Sequence, residues 1–303
     1  MNTKIRRMTS RAFEQIPQRL VSQLLSTPTI RNLASAGSSN SHQLISRLLS
    51  ASPSVGRLRV SELLELAFSR MARTELGEYF YKYAVLQKHV LSKSGSKRAR
   101  VFFEFRAGRS KLDSLVARES LHAVEIKTDL DHFRRLPTQI HDYRRRFAHV
   151  WIFASERNAY KLEADKSLPS SVGIAFMSRR LTFSVIREAA RDVSLLNSKD
   201  ILECLQRSEY LEILRERGFD ASGIPNTLLF SEAMQFAERL DPELVHEATL
   251  AQLKGRAHGV SAPALMRIPR YIRAAVVAAG CDDIEVEHLL VNLGKKVSTW
   301  EIA

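Results

Sequence analysis

The spacing of apolar residues along the chain is helical at both ends and strand-like in the middle. From Arg59 to about Leu91, apolar side chains recur every three or four residues, which predicts helices. The first 58 residues hold two short amphipathic stretches on either side of a Ser-rich segment, residues 34 to 42, that predicts a flexible loop. After Ser194 the pattern is again helical, so helices are expected through the C-terminal part of the chain.

Between these regions the period changes to two, which predicts strands. A Gly108-Arg109 turn separates two of them into a hairpin, and a third strand completes a meander. A helix with Phe133, Leu136, Ile140 and Tyr143 on its apolar side leads to a buried strand, and a second hairpin follows. The predicted strands are residues 101 to 107, 111 to 117, 121 to 128, 148 to 155, 172 to 178 and 181 to 186, and the helix is residues 131 to 146, with a cap at Asp129 or Asp131.

This order of elements predicts an α/β fold with a mixed central sheet flanked by helices. Additional N-terminal helices and a helical C-terminal subdomain are expected around it. We therefore divide the chain into an N-terminal helical and flexible region (1–58), a core (59–190) and a helical C-terminal subdomain (191–303).

Charge changes this picture, because 46 Lys and Arg against 33 Asp and Glu give a net charge of +13 and a sequence pI near 10.0. A chain this basic favours a polyanionic partner, of which nucleic acid is the commonest; an anionic membrane or an acidic protein would also satisfy the charge. Cys204 and Cys281 are far apart and form no zinc motif. No apolar run approaches the ~20 residues that span a bilayer, and no signal-peptide core follows the basic start, so a cytoplasmic protein without membrane contact is expected.

Candidate chemistry lies in the segment KLDSLVARESLHAVEIKT. If its two strands are antiparallel neighbours, alternation puts Glu125 and Lys127 on one face, and a suitable register brings Asp113 beside Glu125. Two adjacent carboxylates repel unless a cation lies between them, and oxygen ligands favour Mg²⁺ or Mn²⁺. The alternative is a solvent-facing pair of acids with Lys127 as a cross-strand ion-pair partner.

The wider context decides between these interpretations. A helix with an acidic residue precedes the strands, and a helix with Gln139 and Tyr143 four residues apart follows them. This order resembles the PD-(D/E)XK nuclease superfamily, and more closely an uncharacterised bacterial branch of it, over about residues 75 to 155. The residues that carry the resemblance form the motifs EYxYK, ExRxGxSxxD, EIKTxxD and RLxxQ.

The resemblance implies a restriction-endonuclease-like core and a site within it. Asp113 and Glu125 would be metal ligands, with the main-chain carbonyl of Ile126 as a third, and Lys127 would be the catalytic lysine. Glu78 is the helical acid expected near the metal, with Glu75 as the alternative. The first motif reads KLDS and so lacks the Pro that often precedes the acid.

Three of these residues have plain structural alternatives. Glu78 is spaced to form an i,i+4 ion pair with Lys82 on the helix surface. Gln139 and Tyr143 resemble the QxxxY element that faces the site in several nucleases of the superfamily, but Tyr143 would also suit the core of an amphipathic helix. Basic residues expected to contact nucleic acid border the site: Arg106, Arg109, Arg134, Arg135 and Arg144.

The function expected from these residues is Mg²⁺-dependent hydrolysis of phosphodiester bonds in nucleic acid. DNA is favoured over RNA because most of the superfamily cuts DNA, and defence against foreign DNA is the favoured role, whether by an endonuclease or an exonuclease. One rival is a catalytically silent nucleic-acid-binding module, and another is a basic helical scaffold for a protein partner that the sequence does not identify. The helical tail is a candidate for homodimerisation or target recognition.

Overall fold

A computed structural model of the chain describes residues 12–35, 42–74, 77–91, 99–256 and 259–299. These residues fall into two compact units, the first formed by Met1–Tyr83 and Ala257–Ala303 and the second by Ala84–Arg256. The boundaries expected at residues 58 and 190 do not coincide with these units. Residues 191 to 256 belong with the sheet, and the rest of the tail belongs with the N-terminal helices.

Helices occur in both units, and no helix within the described ranges is long and apolar enough to cross a bilayer. In chain order they are α1 (Gln18–Leu24), α2 (Thr27–Ala34), α3 (His42–Ala51), α4 (Val60–Thr74), α5 (Glu78–Leu86), α6 (Leu136–Arg144), α7 (Glu156–Ala164), α8 (Ser198–Leu202), α9 (Arg207–Arg215), α10 (Asn226–Ala237), α11 (Pro242–Gly255), α12 (Ala262–Arg267), α13 (Arg273–Ala279) and α14 (Asp283–Gly294). The Ser-rich loop expected at 34 to 42 lies mostly outside the described residues.

The first unit joins the two ends of the chain through α2, which packs on α13 and α14. Arg31 on α2 donates to the carbonyl of Ala279, and the side-chain amide of Asn292 donates to the carbonyl of Leu33 at 2.8 Å. Backbone bonds of 2.9 Å also join Val60 N to the carbonyl of Lys295. Helical periodicity identifies these helices in the sequence, but it does not reveal which of them become neighbours.

The second unit contains a six-stranded sheet in the order β1-β2-β3-β4-β5-β6. β1–β2, β2–β3 and β5–β6 are antiparallel pairs, whereas β3–β4 and β4–β5 are parallel pairs. The mixed α/β fold expected from the sequence is therefore confirmed. The strands are β1 (Arg100–Ala107), β2 (Ser110–Ala117), β3 (Leu121–Lys127), β4 (His149–Ala154), β5 (Gly173–Met177) and β6 (Phe183–Arg187).

The helix that follows β3 begins later than the sequence predicts. Residues Phe133–Arg135 form a 3-10 turn, and α6 starts at Leu136. Neither expected cap caps the helix, because Asp131 accepts the backbone N–H and hydroxyl of Thr128 at 2.8 and 2.7 Å, while Asp129 accepts the hydroxyl of Ser155 at 2.6 Å. The two aspartates order the loop after β3 instead of starting the helix.

One apolar cluster fills the second unit and includes α6 and the tail helices. Leu115 and Ala123 of the sheet belong to it together with Leu136 and Ile140 of α6. The same cluster continues into residues of the tail: Ile201, Leu202, Tyr210, Leu229, Val245 and Leu253. The tail up to Gly255 is therefore part of the core of this unit, and α6 is buried on its sheet-facing side.

The β1–β2 hairpin is tied to α6 and to the residues just after it. Gly108 has φ +63°, and an added Cβ there would overlap the guanidinium of Arg146. Arg146 is 5% exposed, and it donates to the main-chain carbonyl of Asp142 at 2.9 Å. The hydroxyl of Ser110 donates to the Asp142 carboxylate at 2.6 Å. Glycine is thus required at the turn for its backbone conformation and for the approach of Arg146.

Four histidines of the second unit influence one another, among them His122 and His149 at the starts of β3 and β4. Their rings stack with centroids 4.5 Å apart, and His246 accepts the N–H of Ala148 at 3.3 Å. Burial, with contributions from neighbouring histidines and Arg118, lowers the pKa of His122 to about 3. Burial likewise lowers the pKa of His89 and of His246 to about 4. These rings are therefore neutral in the folded protein at neutral pH.

We expect the second unit to lose stability on acidification between about pH 6.5 and pH 4. In this window the histidines of the unfolded chain bind protons while His89, His122 and His246 of the folded chain stay neutral, so the free energy of unfolding falls as pH falls. Each such histidine contributes up to about 1.4 kcal/mol per pH unit. In urea unfolding measured across this range, His122→Gln should flatten the pH dependence, whereas the exposed-site control His141→Gln should leave it unchanged. An equal slope in His122→Gln and wild type would contradict the assignment.

Candidate active site

Asp113 and Glu125 lie on neighbouring strands at the point where β2 and β3 separate. The β2–β3 ladder pairs Ser114 with Val124 and Leu115 with Ala123, and its continuation places Asp113 opposite Glu125. At that position the Asp113 carboxylate accepts the N–H of Ile126 at 2.6 Å. The side chain thus takes over a backbone donor at the end of the ladder. The register is the one that the sequence argument requires.

Glu125 is 2% exposed and carries a carboxylate bound on both oxygens. Its Oε1 accepts from Lys127 Nζ at 2.6 Å and from Gln139 Nε2 at 2.7 Å, and its Oε2 accepts from the hydroxyl of Tyr143 at 2.8 Å. Lys127 is 6% exposed and also donates to Gln139 Oε1 at 3.1 Å. The solvent-facing acids and lysine of the alternative interpretation are therefore not what the structure shows for Glu125 and Lys127.

Tyr143 and Gln139 reach the site from α6, one helical turn apart. Ile140, between them, points into the core together with Tyr143. Burial, followed by the nearby Glu125 charge, raises the pKa of Tyr143 well above its usual value, so the phenol remains a proton donor. Tyr143 is a core residue, as the structural alternative supposes. It also donates a hydrogen bond to the Glu125 carboxylate.

Glu104 on β1 is an acid beside Asp113 that motif reasoning did not single out. The β1–β2 register pairs Phe103 with Ser114 and Phe105 with Leu112, so Glu104 stands opposite Asp113, and their carboxylate oxygens come within 4.8 Å of each other. Glu104 has φ +56°, a left-handed conformation that costs a non-glycine residue about 1–2 kcal/mol. The Gly108-Arg109 turn fixes this register, so the position could have been found from the sequence; the backbone conformation could not.

Glu78, the helical acid expected near the metal, is the first residue of α5 and belongs to the first unit. Its carboxylate forms an ion pair of 2.6 Å with Lys82, the i,i+4 partner that the sequence also allowed. Its metal-binding role remains a prediction. Glu75, the alternative acid, lies outside the described residues.

The basic residues expected to contact nucleic acid differ in their surroundings. Arg106 and Arg109 are exposed on the β1–β2 hairpin, and Arg134 and Arg135 are exposed on the turn before α6. Arg144 instead bonds the carboxylate of Asp192 through Nη2 at 2.7 Å and Nε at 3.3 Å. The guanidinium of Arg144 therefore has an internal partner, and its contact with nucleic acid remains a prediction.

The sequence of this chain matches a known protein family. Residues 71–275 match the family model described as Bacteriophage P4 protein cII. The chain belongs to this cII family. Protein cII of Enterobacteria phage P4 is 29% identical over 161 residues, which are 52% of this chain and 59% of that protein. The chain thus spans about 59% of the length of that curated relative.

Among solved structures, the SPO1766 protein of unknown function from Silicibacter pomeroyi aligns with a TM-score of 0.32 and 14% identity, covering 48% of this chain and 98% of that one. The cII-family match is the more informative comparison for the site. It spans the stretch from Glu78 to Tyr143 that holds every catalytic and metal-binding candidate.

The sequence predicts that Asp113 and Glu125 of this cII-family chain bind a hard divalent cation. Asp113 and Glu125 offer carboxylate oxygens, the ligand type that Mg²⁺ prefers. Each carboxylate oxygen has two lone pairs, and Glu125 Oε2 accepts from Tyr143. Asp113 is half-buried. Their role as metal ligands, with the Ile126 carbonyl as the third, remains a prediction.

We expect the buried Lys127–Glu125 pair of this cII-family protein to be strongly coupled in stability. Lys127→Met alone leaves a buried carboxylate without its cation and should cost roughly 3 kcal/mol in the free energy of unfolding. The double change Lys127→Met and Glu125→Gln removes both charges, keeps the hydrogen bonds to Gln139 and Tyr143 available, and should recover most of that loss. Urea unfolding of the four proteins of this cycle measures the coupling; purely additive losses would contradict it.

Proposed function

We propose that this chain is a divalent-metal-dependent nuclease that hydrolyses phosphodiester bonds, with Asp113, Glu125 and Lys127 at its centre. The observation that carries this proposal is the buried Lys127–Glu125 pair, with Gln139 and Tyr143 bonded to the Glu125 carboxylate and Asp113 on the neighbouring strand bonded to the N–H of Ile126. Surface acids and lysines that serve only solubility would not need such a set of partners. The motif resemblance to PD-(D/E)XK nucleases supports the same assignment.

The side chains of the site have separable tasks under this proposal. Gln139 and Tyr143 hold Glu125 in one rotamer, and burial keeps bulk water from its carboxylate. The Lys127 ammonium orients an attacking water or stabilises negative charge that develops on the phosphate. A bound Mg²⁺ or Mn²⁺ would neutralise the scissile phosphate and lower the pKa of the attacking water.

Substrate and setting are part of the proposal. DNA is preferred over RNA on the family resemblance, and the net charge of +13 supports a polyanionic substrate. A cytoplasmic location and a role in defence against foreign DNA complete the proposal. The relative from a phage supports a setting in which mobile DNA is present.

A catalytically silent nucleic-acid-binding module is the second candidate function. The observation that favours it is the burial of Glu125 and Lys127, at 2% and 6% exposure, in a network that also stabilises the fold. In such a module the two residues would link β3 to α6, and the basic hairpin would bind nucleic acid without cleavage.

We expect purified protein to cut DNA in Mg²⁺ or Mn²⁺ and not in EDTA. Asp113→Asn, and separately the Glu125→Gln and Lys127→Met double variant, should lower the cleavage rate about a hundredfold or more, because each removes a metal ligand or the catalytic lysine. Linear, circular and single-stranded DNA and RNA are compared in one assay. Glu188→Gln, which changes an exposed acid, is the matched control and should cleave DNA at the wild-type rate.

The outcomes separate the candidates. DNA binding in EDTA without cleavage in any metal, by protein whose fold is verified by circular dichroism, would replace the nuclease with the binding module. If the folded protein shows neither DNA binding nor cleavage, the interaction scaffold is the remaining candidate. Cleavage that survives in Asp113→Asn would contradict the assignment of the site.

A further inference from the structure

Three basic side chains stand at the tip of the β1–β2 hairpin. Arg106 and Lys111 are direct partners in the antiparallel register, Lys111 is ion-paired with Glu104, and Arg109 lies in the turn between the two strands. Arg106 and Arg109 are exposed, and the side chain of Lys111 is 64% exposed. The tip therefore presents concentrated positive charge to solvent, beside the proposed centre.

This arrangement has a cost that an anion would offset. Like charges directly opposite each other on neighbouring strands destabilise the pair. Glu104 forms an ion pair with Lys111 at 2.5 Å, which compensates Lys111 on one side. The Arg106 guanidinium makes a long contact of 3.5 Å to the carbonyl of Gly108 in its own hairpin. An anion bound at the tip would interact favourably with both Arg106 and Lys111 and so offset the repulsion between their charges.

Contacts with α6 and with Arg146 hold the backbone of this hairpin in place. Gly108 lies against the Arg146 guanidinium, and Ser110 bonds Asp142 at 2.6 Å. The hydroxyl of Tyr143 lies 3.2 Å from the carbonyl of Lys111 and 2.8 Å from Glu125 Oε2. The α6 segment thus holds the hairpin and the Glu125 carboxylate in one frame, and a fixed backbone reduces the entropy that a bound ligand must offset.

Neighbouring arginines do not share this exposure. Arg144 is paired with Asp192 at 2.7 Å, and Arg146 is 5% exposed and paired with Asp200 at 3.2 Å. Their charges are directed into the second unit. The basic run at 144 to 146 therefore stabilises the packing of α6, and the exposed charge near the proposed centre is on the hairpin.

We infer that Arg106, Arg109 and Lys111 form a phosphate-binding arm that takes the sugar-phosphate backbone of nucleic acid, with Lys111 as a binding residue that motif reasoning had not identified. Lys111 precedes Asp113 by two residues, about 7 Å along the strand. A sugar-phosphate backbone bound by the arm would therefore lie close to Asp113. The inference rests on the proposed function for the kind of anion, but it requires only binding and not cleavage.

The test is the salt dependence of DNA binding in EDTA. Fluorescence anisotropy with a labelled 20-base-pair duplex gives the slope of log K against log[salt] for wild type and for the triple variant Arg106→Gln, Arg109→Gln, Lys111→Gln. The triple variant should flatten the slope by roughly two to three units, at about 0.9 per lost phosphate contact. The matched control, Lys161→Gln, Arg179→Gln, Arg180→Gln, removes equal charge around β5 and β6, toward the other edge of the sheet, and should change the slope by less than one unit.

An unchanged slope in the hairpin variant, or an equal change in the control, would overturn the arm. Binding of polyglutamate that is as tight as DNA and lost equally in the hairpin variant would also overturn it, since it would indicate a general acidic partner. The single variant Lys111→Gln tests the newly assigned residue and should lower the slope by about one unit. Cleavage is not measured in this assay, so failure of the nuclease proposal would leave its outcome intact, and failure of the arm would leave the Asp113→Asn result intact.

Discussion

The burial of the Glu125 carboxylate is the constraint on which the rest of the site depends. A carboxylate at 2% exposure would cost several kcal/mol without partners. Lys127 supplies the opposite charge from the same strand, while Gln139 and Tyr143 supply neutral donors from α6. The position of α6 on the sheet is thus set by polar contacts as well as by apolar packing. A chain that kept Glu125 buried only for stability would gain more from an apolar residue there, which is why a functional role is the better explanation.

Because α6 meets this requirement, it also organises the surroundings of the site. Tyr143 lies between Glu125 and the start of β2, and Asp142 with Arg146 holds the hairpin turn. Arg144 and the two arginines after it are ion-paired to residues 192 and 200, which begin the tail of the second unit. One short helix therefore connects the acidic centre, the basic hairpin and the tail.

Much of this could be read from the sequence, for identifiable reasons. The period-two segments and the Gly108-Arg109 turn fix the first hairpin, and pleat alternation then puts Glu125 and Lys127 on one face. The sequence did not indicate α7, because residues 156 to 164 follow a strand without a turn of glycine or proline; its start is set by Ser155, which accepts the N–H of Asn158. The sequence also did not show that Asp131 orders a loop. Its carboxylate accepts the N–H and hydroxyl of Thr128 and therefore does not cap the helix.

Other features depend on contacts between residues distant in the chain. Helical periodicity after residue 194 does not distinguish the helices that pack on the sheet from those that join the N-terminal unit, because both have apolar faces of the same kind. The left-handed backbone of Glu104 arises from the local geometry of the β1–β2 ladder and has no counterpart in residue type. The internal pairing of Arg144 is likewise a tertiary contact with Asp192, 48 residues away.

The proposed binding of a divalent cation by Asp113 and Glu125 is tested most directly by electron paramagnetic resonance of Mn²⁺ titrated into the protein. The signal of free Mn²⁺ should decrease as the ion binds to wild-type protein and to Glu188→Gln, and Asp113→Asn should weaken this binding at least tenfold while its circular dichroism is unchanged. Equal binding by wild type and Asp113→Asn, or no binding by either folded protein, would contradict the claim and leave Glu125 and Lys127 as a structural pair.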